Sequence, residues 1–260
     1  MEVVITNDAT AAAALAADAI ERVLATVERP VLGLATGSSP IATYRELIRR
    51  HREGRLSFSS AQAFLLDEYV DLPPGHDQSY RRFIERELTD HVDLPAASLH
   101  GPGNSLDDPT SGDEYERRLA EAGGVDLQLV GIGGDGHIGF NEPGSSLGSR
   151  TRLKTLTDST RNDNARFFGG DPRAVPRHVI TQGIATILDA RHVVLLAGGA
   201  SKADIVARAV EGPVTAMIPA SALQLHPHTT VIVDEPAASS LSRANYYREV
   251  YAHKPGWQQI

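Results

Sequence analysis

Cysteine is absent from this chain of 260 residues, which excludes a disulfide framework, a thiolate nucleophile and a zinc-thiolate site. Positive charge is scarce as well: 25 Lys and Arg residues stand against 33 Asp and Glu residues, for a formal net charge of -8. Nucleic-acid binding needs clustered basic side chains that displace phosphate counterions, so we expect no nucleic-acid partner. A small anionic ligand remains compatible with this composition, because it responds to the local charge of its pocket.

Long apolar runs are also missing. No run approaches the roughly 20 residues that a membrane-spanning helix needs. The first residues, MEVVITNDATAAAALAADAIERV, carry acidic side chains where a secretory signal would carry basic ones. These two absences predict a cytoplasmic protein with no membrane partner.

Short aliphatic runs are present, and they are continuous rather than alternating, as expected of strands buried on both faces. They are VVIT near the start, PVLGLAT (30–36), AQAFLL (61–66), VDLQLV (125–130), HVVLLAG (192–198) and TTVIVD (229–234). Segments with helical spacing lie between them; one follows Pro40, and Ser111 with Glu114 fits a capping box for another. The alternation predicts an α/β fold of one domain over residues 1–260: Rossmann-like, with a mostly parallel sheet and helices on both faces.

The ends of these predicted strands carry residues suited to ligand binding. In parallel sheets, ligands bind beyond the carboxyl ends of the strands. The segments that follow five of the strands are GSSP (37–40), DEYV (67–70), GIGGDGHIGFNEPGSS (131–146), GASK (199–202) and EP (235–236). If the five strands are adjacent, these segments converge on one crevice.

The 131–146 segment places Asp135, His137 and Glu142 among six glycines. Such glycine density predicts unusual backbone dihedrals or a backbone that closely approaches a ligand. A histidine near its unperturbed pKa of about 6.5 exchanges protons at cellular pH, and flanking carboxylates orient it. A metal site is disfavoured because no second histidine lies near, and a serine triad is disfavoured because a Gly-x-Ser-x-Gly elbow is absent.

Three shorter features each have a structural alternative. ATGSSP (35–40) presents backbone N–H groups at a helix start, which suits a phosphate, although the motif alone favours an ordinary turn capped by Ser39. Lys202 lies in the first turn of a predicted helix, where a bound anion would offset the unfavourable dipole; an exposed lysine is the alternative. Asp67 and Glu68 end a strand, and since adjacent strand residues point to opposite faces, at most one of them faces the crevice; the alternative is that either carboxylate caps the next segment.

In combination, these motifs resemble the glucosamine-6-phosphate deaminase family. The segments that carry the resemblance, in order, are ATGSSP, LLDEYVDLP, GIGGDGHIGFNEPGSSLGSRTRLKTLT, NARFF, GGASKA and LQLHPHTTVIVDEPA, from about Val31 to Pro236. DGHIGFNEP is the most specific of them. The related 6-phosphogluconolactonases share the architecture and a DGH loop, but neither the FNEP that follows nor the DEYV form. Gly139 stands where the deaminases usually have Ala, and Ser39 where they usually have Thr.

The resemblance implies an enzyme of amino sugar metabolism that converts glucosamine 6-phosphate and water into fructose 6-phosphate and ammonia. It implies no metal and no organic cofactor. His137 matches the family's ring-opening residue, with Asp135 and Glu142 completing a hydrogen-bonded triad, and Asp67 matches the base that abstracts the C2 proton. The residues that match the phosphate site are Gly37, Ser38, Ser39, Arg166 and Lys202.

The resemblance also implies a lid and a regulatory site. The region 156–179 is similar to a mobile lid over the site. Some members are homo-oligomers, hexamers among them, that N-acetylglucosamine 6-phosphate activates at a subunit interface. The residues that match this effector site are Ser145, Arg152, Lys154 and, in a looser alignment, Tyr246. A plain solvated loop is the alternative.

Two other functions remain open from the sequence. A 6-phosphogluconolactonase would use the same histidine to activate water against an ester. A non-catalytic sugar-phosphate sensor would need a DNA-binding segment, which we do not expect because the chain begins at its first strand. Retention of Asp67 and His137 also disfavours a sensor.

Overall fold

Two sheets organise the computed structural model, which describes residues 1–73, 75–258 and 260, apart from the side chains of Ser159 and Asp163. In chain order, the strands of the described residues are β1 (Glu2–Thr6), β2 (Val31–Leu34), β3 (Gln62–Leu65), β4 (Asp67–Tyr69), β5 (Leu99–His100), β6 (Leu127–Gly131), β7 (Arg152–Thr155), β8 (His178–Thr181), β9 (His192–Ala197) and β10 (Thr229–Asp234).

Helices connect most of these strands. The α-helices are α1 (Ala9–Thr26), α2 (Ile41–Arg52), α3 (Tyr80–Glu87), α4 (Ser111–Glu121), α5 (Asp158–Asn164), α6 (Ile184–Leu188), α7 (Ala203–Glu211), α8 (Glu235–Ala238) and α9 (Ala244–Ala252). Short 3₁₀ helices lie at Thr89–His91, Ala96–Ser98, Ala165–Phe167, Ala200–Lys202 and Pro219–Leu225.

The larger sheet has seven strands in the order β1-β10-β9-β6-β2-β3-β5, and every pairing in it is parallel. This confirms the predicted α/β fold, and each of the six aliphatic runs is one of its strands. Alternate strand residues enter two cores. Val193 and Leu195 pack on one face with α4, α6, α7 and α8, whereas Val194 and Leu196 pack on the other with α1, α2 and α3.

A second sheet of three antiparallel strands, in the order β4-β8-β7, was not predicted. The chain passes into it at Leu66, whose N–H donates to Leu34 of the large sheet and whose carbonyl accepts the N–H of Gln182. β4 therefore continues β3 across the gap between the sheets. Because this continuation occurs at the carboxyl end of β3, it carries Asp67 directly to the edge where ligands bind.

The predicted helix caps differ from the observed ones. α2 begins at Ile41 with Pro40 in the capping position, and no side chain caps it, so Ser39 is not its N-cap. α4 has Thr110 at its N-cap, and the hydroxyl of Ser111 donates to Asp108, so the predicted capping box is wrong. In the part of the chain that the structure describes, no helix combines the length and the apolarity that crossing a membrane requires.

Candidate active site

The five strands whose ends were singled out are neighbours, in the order β10-β9-β6-β2-β3. Their following turns therefore lie along one edge of the sheet, as predicted. Direct contacts join them: the carboxylate of Asp234, at the end of β10, accepts the N–H of Gly199 after β9 at 2.9 and 3.0 Å. The same carboxylate caps α8 by accepting the N–H of Ala237. The acidic end of β10 thus holds the turn after β9 rather than facing a ligand.

Asp135 and His137 form a close pair in the turn after β6. His137 Nδ1 lies 2.6 Å from Asp135 Oδ1, which also accepts the backbone N–H of His137 at 3.0 Å. The hydrogen bond to His137 lowers the pKa of Asp135, so the carboxylate stays ionised. Both side chains are partly exposed, His137 at 32% and Asp135 at 45%, so the pair is open to the crevice. Because Nδ1 is the ring nitrogen that lies beside Asp135, Nε2 is the nitrogen left for a substrate.

The glycines around this pair have specific steric reasons. A Cβ on Gly133 would lie 2.1 Å from Cε1 of the His137 ring, so only glycine leaves room for the imidazole. Gly136 has a φ of +91°, and a Cβ there would lie 2.8 Å from Ile218. The glycines of the 131–146 loop therefore leave space for the ionisable side chains. They also let the loop pack closely against the start of the 3₁₀ helix Pro219–Leu225.

Asp67 lies beneath this loop. Its residue is 4% exposed, and its Oδ1 has no hydrogen-bond partner among the described residues. A Cβ on Gly139 would lie 3.5 Å from Asp67 Oδ2, so the loop backbone passes directly over the carboxylate. Burial, and next the negative charge of Glu68, raise the pKa of Asp67 well above its usual value. A carboxylate in this environment is a stronger base than an exposed one.

Glu68 faces the other side of the strand, as the alternation of strand residues predicts. Its carboxylate accepts the N–H groups of Tyr69, Tyr80 and Arg81 at 2.8, 2.9 and 2.9 Å. Two of these N–H groups belong to the first turn of α3, where a carboxylate is stabilised by the helix dipole. Glu68 therefore anchors β4 to α3, and Asp67 alone is left for chemistry.

Glu142 differs from the predicted arrangement. Its Oε1 accepts hydrogen bonds from the hydroxyls of Thr157 and Thr160, at the start of α5. In the described part of the chain, no hydrogen bond joins Glu142 to His137; of the two carboxylates predicted to complete the triad, only that of Asp135 lies beside the His137 ring. The physical reason is that both threonine hydroxyls, which belong to the 156–179 region, donate to the same oxygen, Oε1 of Glu142.

The turn after β2 has the form expected of an anion site. Gly37 adopts a φ of +91°, with open space where its side chain would lie, and Ser38 is exposed. Ser39 packs against Gly131, the first residue of the loop after β6, so this turn borders the Asp135–His137 pair. The buried hydroxyl of Tyr44 donates to the carbonyl of Ala35 at 2.6 Å and fixes the start of the turn.

Lys202 and Arg166 are the cations assigned to the phosphate. Lys202 Nζ donates to the carbonyl of Ile132, in the 131–146 loop, at 2.7 Å. Burial lowers the pKa of Lys202, the charge of Asp135 opposes this, and the charge of Arg166 adds to it, so the three charged groups lie within electrostatic range. Arg166 is exposed, with its guanidinium 4.7 Å from the ring centroid of Phe167.

Buried amides behind the loop were missed by the sequence reasoning. Asn141, fully buried, donates from Nδ2 to the carbonyls of Ile138 and Gln182 at 2.9 and 2.8 Å. Gln182, also fully buried, donates to the carbonyl of Leu65 at 3.1 Å. These bonds tie the loop to both sheets. No local pattern marks either residue, because their partners are 41 and 117 residues away.

The residues matched to the effector site are only partly brought together. Arg152 and Lys154 alternate on β7 and share a face, and Arg152 donates to Asn141 Oδ1 at 2.9 Å. Ser145 is buried, and its hydroxyl has no partner among the described residues. Tyr246 is exposed on α9, an element that packs against β1, whereas β7 packs against β8 and α4. Within one chain, Tyr246 is therefore separate from the other three.

Along the described ranges, no three His, Asp or Glu side chains converge as a metal site would require.

The parallel sheet and the site at the ends of its strands define an α/β protein with a candidate active site. Comparison with known proteins agrees with this class. The family described as glucosamine-6-phosphate isomerases/6-phosphogluconolactonase matches residues 6–232. The chain belongs to this family.

Individual relatives of the chain have more specific names than the family does. The chain is 57% identical to a glucosamine-6-phosphate deaminase of Beutenbergia cavernae and 59% identical to one of an Arthrobacter species, over 100% of both chains in each case. A solved structure of a monomeric glucosamine-6-phosphate deaminase is 39% identical, with a TM-score of 0.89 over 92% of this chain and 100% of that one. A 6-phosphogluconolactonase of Thermotoga maritima shares the fold at 19% identity and a TM-score of 0.69, over 90% and 99% of the two chains.

Proposed function

We infer that the chain is an aldose-ketose isomerising deaminase that converts glucosamine 6-phosphate and water into fructose 6-phosphate and ammonia. One observation carries this function. A buried carboxylate, Asp67, with an unpartnered oxygen, lies directly under the loop that holds the Asp135–His137 pair. Such a pairing of a basic carboxylate with an oriented imidazole supplies the two proton transfers that the reaction needs. The names of relatives at 57% and 59% identity support the same substrate.

Ring opening comes first, because the C2 proton of the closed sugar is not acidic. Opening moves a proton from the C1 hydroxyl to the ring oxygen and breaks the bond between C1 and that oxygen. His137, oriented through Nδ1 by Asp135, serves this transfer at Nε2, taking one proton and returning it to the other oxygen. The ionised Asp135 stabilises the imidazolium that forms in between.

Isomerisation and hydrolysis follow on the open chain. Asp67 takes the C2 proton, which is acidified by the C1 carbonyl, while a proton passes from the C2 ammonium to the C1 oxygen, and an enolamine forms. The protonated Asp67 returns a proton to C1, which gives an iminium at C2. Water adds to C2, the carbon-nitrogen bond breaks, and ammonia leaves with fructose 6-phosphate as the product. One carboxylate held close to both carbons serves both transfers.

The phosphate is held at the neighbouring turn. We assign it to the backbone and hydroxyl groups of Gly37, Ser38 and Ser39, at the start of α2, together with Lys202 and Arg166. The free N–H groups and the positive end of the helix favour an anion. The lowered pKa of the half-buried Lys202 supports the assignment, because an anion beside it would offset the burial that lowers this pKa.

One assay tests the function: incubation with glucosamine 6-phosphate, with ammonia and fructose 6-phosphate measured together. The deaminase yields both in equal amounts. A lactonase would instead hydrolyse 6-phosphogluconolactone and release no ammonia, and a sensor would bind sugar phosphates without turnover. Six solved 6-phosphogluconolactonase structures are 17% to 22% identical to this chain, a level that supports the common fold alone. Absence of ammonia would refute the deaminase.

The region 156–179 is proposed as a lid of a single domain that spans residues 1–260. Its contacts with the body support this: Thr160 bonds Glu142, and the ring of Phe168 meets that of Tyr69 edge-on at 5.6 Å. Gly169 and Gly170 both have positive φ, which gives the region a backbone that glycine alone adopts readily. Hydrogen exchange of this region should slow when fructose 6-phosphate binds, and unchanged exchange would argue against a lid.

Activation by N-acetylglucosamine 6-phosphate is proposed at Ser145, Arg152 and Lys154, with Tyr246 supplied across a homo-oligomer interface. The buried hydroxyl of Ser145, unpartnered among the described residues, supports a ligand there. A 39% identical relative is described as monomeric, so the oligomeric state of this chain needs a direct measurement. Sedimentation velocity distinguishes a monomer, a hexamer and intermediate assemblies. Substrate saturation curves that are hyperbolic and identical with and without the acetylated sugar phosphate would contradict the proposed effector site. Cytoplasmic location is proposed in addition and is tested by cell fractionation.

A further inference from the structure

The buried hydroxyl of Thr181 connects the loop of the active site to β8, the strand that pairs with the one that carries the base. We propose that Thr181 is a positioning residue, which sets the height of the 131–146 loop, and so of the Asp135–His137 pair, above Asp67. The inference rests on the proposed function for its kinetic consequences, but the geometry it describes is independent of the substrate. Thr181 is fully buried, so it acts through the loop.

The register of the small sheet places Thr181 between two site residues. In the pairing of β4 with β8, Asp67 lies opposite Thr181, and in the pairing of β7 with β8, Arg152 lies opposite the same residue. Directly opposite residues of antiparallel strands project their side chains to the same face. Asp67, Thr181 and Arg152 thus form one row across the three strands.

The loop after β6 runs along this row and contacts each of its members in turn. A Cβ on Gly139 would lie 2.9 Å from Thr181 Oγ1 and 3.5 Å from Asp67 Oδ2. The N–H of the next residue, Phe140, donates to Thr181 Oγ1 at 3.1 Å. The following side chain, Asn141, accepts from Arg152. Three consecutive loop residues therefore contact residues of three adjacent strands, β4, β8 and β7.

Thr181 supplies the middle of these three contacts. Its hydroxyl accepts from Phe140 and lies 3.3 Å from the carbonyl of Gln182, to which it donates, so the orientation of the hydroxyl is determined. Phe140 is itself buried, so loss of the hydroxyl would leave its N–H unpaired in the interior. Gly139 has no side chain and a φ of +55°, so it does not hold the loop by packing. The loop would then shift relative to Asp67.

The kinetic test compares two substitutions at Thr181. Thr181→Val keeps the shape and removes the hydroxyl, whereas Thr181→Ser keeps the hydroxyl. We expect Thr181→Val to lower kcat by about 10- to 100-fold, since misplacement by about 1 Å has such an effect. KM for glucosamine 6-phosphate should change little, because the turn at Gly37–Ser39 is a separate element. Thr181→Ser should restore most of the lost kcat.

A matched control separates positioning from general loss of packing. Thr229→Val also removes a buried threonine hydroxyl, one that donates to the carbonyl of Leu223 at 3.1 Å in the large sheet. It should retain the wild-type kcat at temperatures below its Tm. Equal loss of kcat in Thr181→Val and Thr229→Val, or failure of Thr181→Ser to restore it, would overturn the proposal.

Hydrogen exchange without substrate tests the geometry directly. The amide of Phe140 should exchange faster in Thr181→Val than in the wild type, in Thr181→Ser and in Thr229→Val. If the wild type releases no ammonia, the proposed function fails and the exchange result alone decides the role of Thr181. Unchanged exchange at Phe140 in Thr181→Val would overturn the proposal whatever the activity.

Discussion

The imidazole of His137 occupies the space that a side chain on Gly133 would need: a Cβ there would lie 2.1 Å from Cε1 and 2.3 Å from Nδ1 of the ring. The two residues are also joined through their backbones, since the N–H of Gly133 donates to the carbonyl of His137 at 2.9 Å. The absence of a side chain at one residue therefore determines the position of the other.

Gly133→Ala should consequently displace the His137 ring from Asp135 and lower kcat by about 10²-fold or more, the scale of general acid-base catalysis. Gly134→Ala is the matched control, because a Cβ on Gly134 meets no atom within 4 Å and its φ is not positive. Steady-state kinetics on glucosamine 6-phosphate measure both. Similar kcat values for the two variants would contradict the steric argument.

Asp67→Asn should abolish exchange of the C2 proton with solvent while substrate still binds, because the amide is not a base. The expected fall in kcat is at least about 10²-fold. Incubation in D₂O followed by NMR of the recovered sugar phosphate measures the exchange. The control is Asp18→Asn, a change at a half-exposed carboxylate that pairs with Arg50. Exchange near the wild-type rate in Asp67→Asn would assign the base to another group.

The same substitution should stabilise the fold at neutral pH. Asp67 has a raised pKa in the folded state, so the folded protein binds this proton more tightly than the unfolded chain does. The free energy of unfolding therefore falls as pH rises above the unfolded pKa of about 3.9 and through the raised folded pKa. Asp67→Asn escapes this loss, so its Tm should exceed that of the wild type at pH 7, with the gain vanishing at acidic pH. An equal or lower Tm at pH 7 would contradict the burial argument.

Lys202→Met should raise KM for glucosamine 6-phosphate by roughly 10- to 100-fold, the worth of one charge-assisted hydrogen bond, with a smaller change in kcat. Lys254→Met is the control, because Lys254 pairs with Glu2 at the other end of the chain. Inhibition by inorganic phosphate should weaken in parallel with substrate binding in Lys202→Met only. A fall in kcat at constant KM would move Lys202 from the phosphate to the reacting carbons.

A buried histidine at the start of β9 should make the fold acid-sensitive. Burial, and next the charge of His228, lower the pKa of His192 to about 3; His226, Arg22 and Lys254 add to this. The stability conferred by the neutral form is complete above the unfolded pKa of about 6.5 and is lost as pH falls toward the folded value. Between pH 7.5 and 5, this linkage removes about 2 kcal/mol from the free energy of unfolding.

His192→Gln tests the linkage, since glutamine does not titrate and retains a group that can bond Thr230, the present partner of His192 at 2.9 Å. Urea unfolding at the two pH values should show a smaller loss in this variant than in the wild type. His253→Gln, at an exposed position after α9, should leave the wild-type loss unchanged. Equal pH dependence in all three proteins would exclude His192 as its source.

Much of the site was predictable because its residues follow strands that can be recognised from the local sequence. Continuous aliphatic runs marked six of the seven strands of the large sheet, and the polar residues after five of them pointed to one edge of the sheet. Alternation along a strand separated Asp67 from Glu68, and the structure confirms it. The two threonine hydroxyls that donate to Glu142, by contrast, could not be predicted, because this contact depends on how the 156–179 region folds back.

By itself, the sequence determined the α/β fold, the buried strands and the close pairing of Asp135 with His137, because each depends on hydrophobic periodicity or on neighbours two residues apart. Only the tertiary structure decided the row of Asp67, Thr181 and Arg152 and the seating of the loop across it. Those relationships depend on the register between short strands far apart in the chain. Register is set by packing and long-range hydrogen bonds, which leave no local pattern in the sequence.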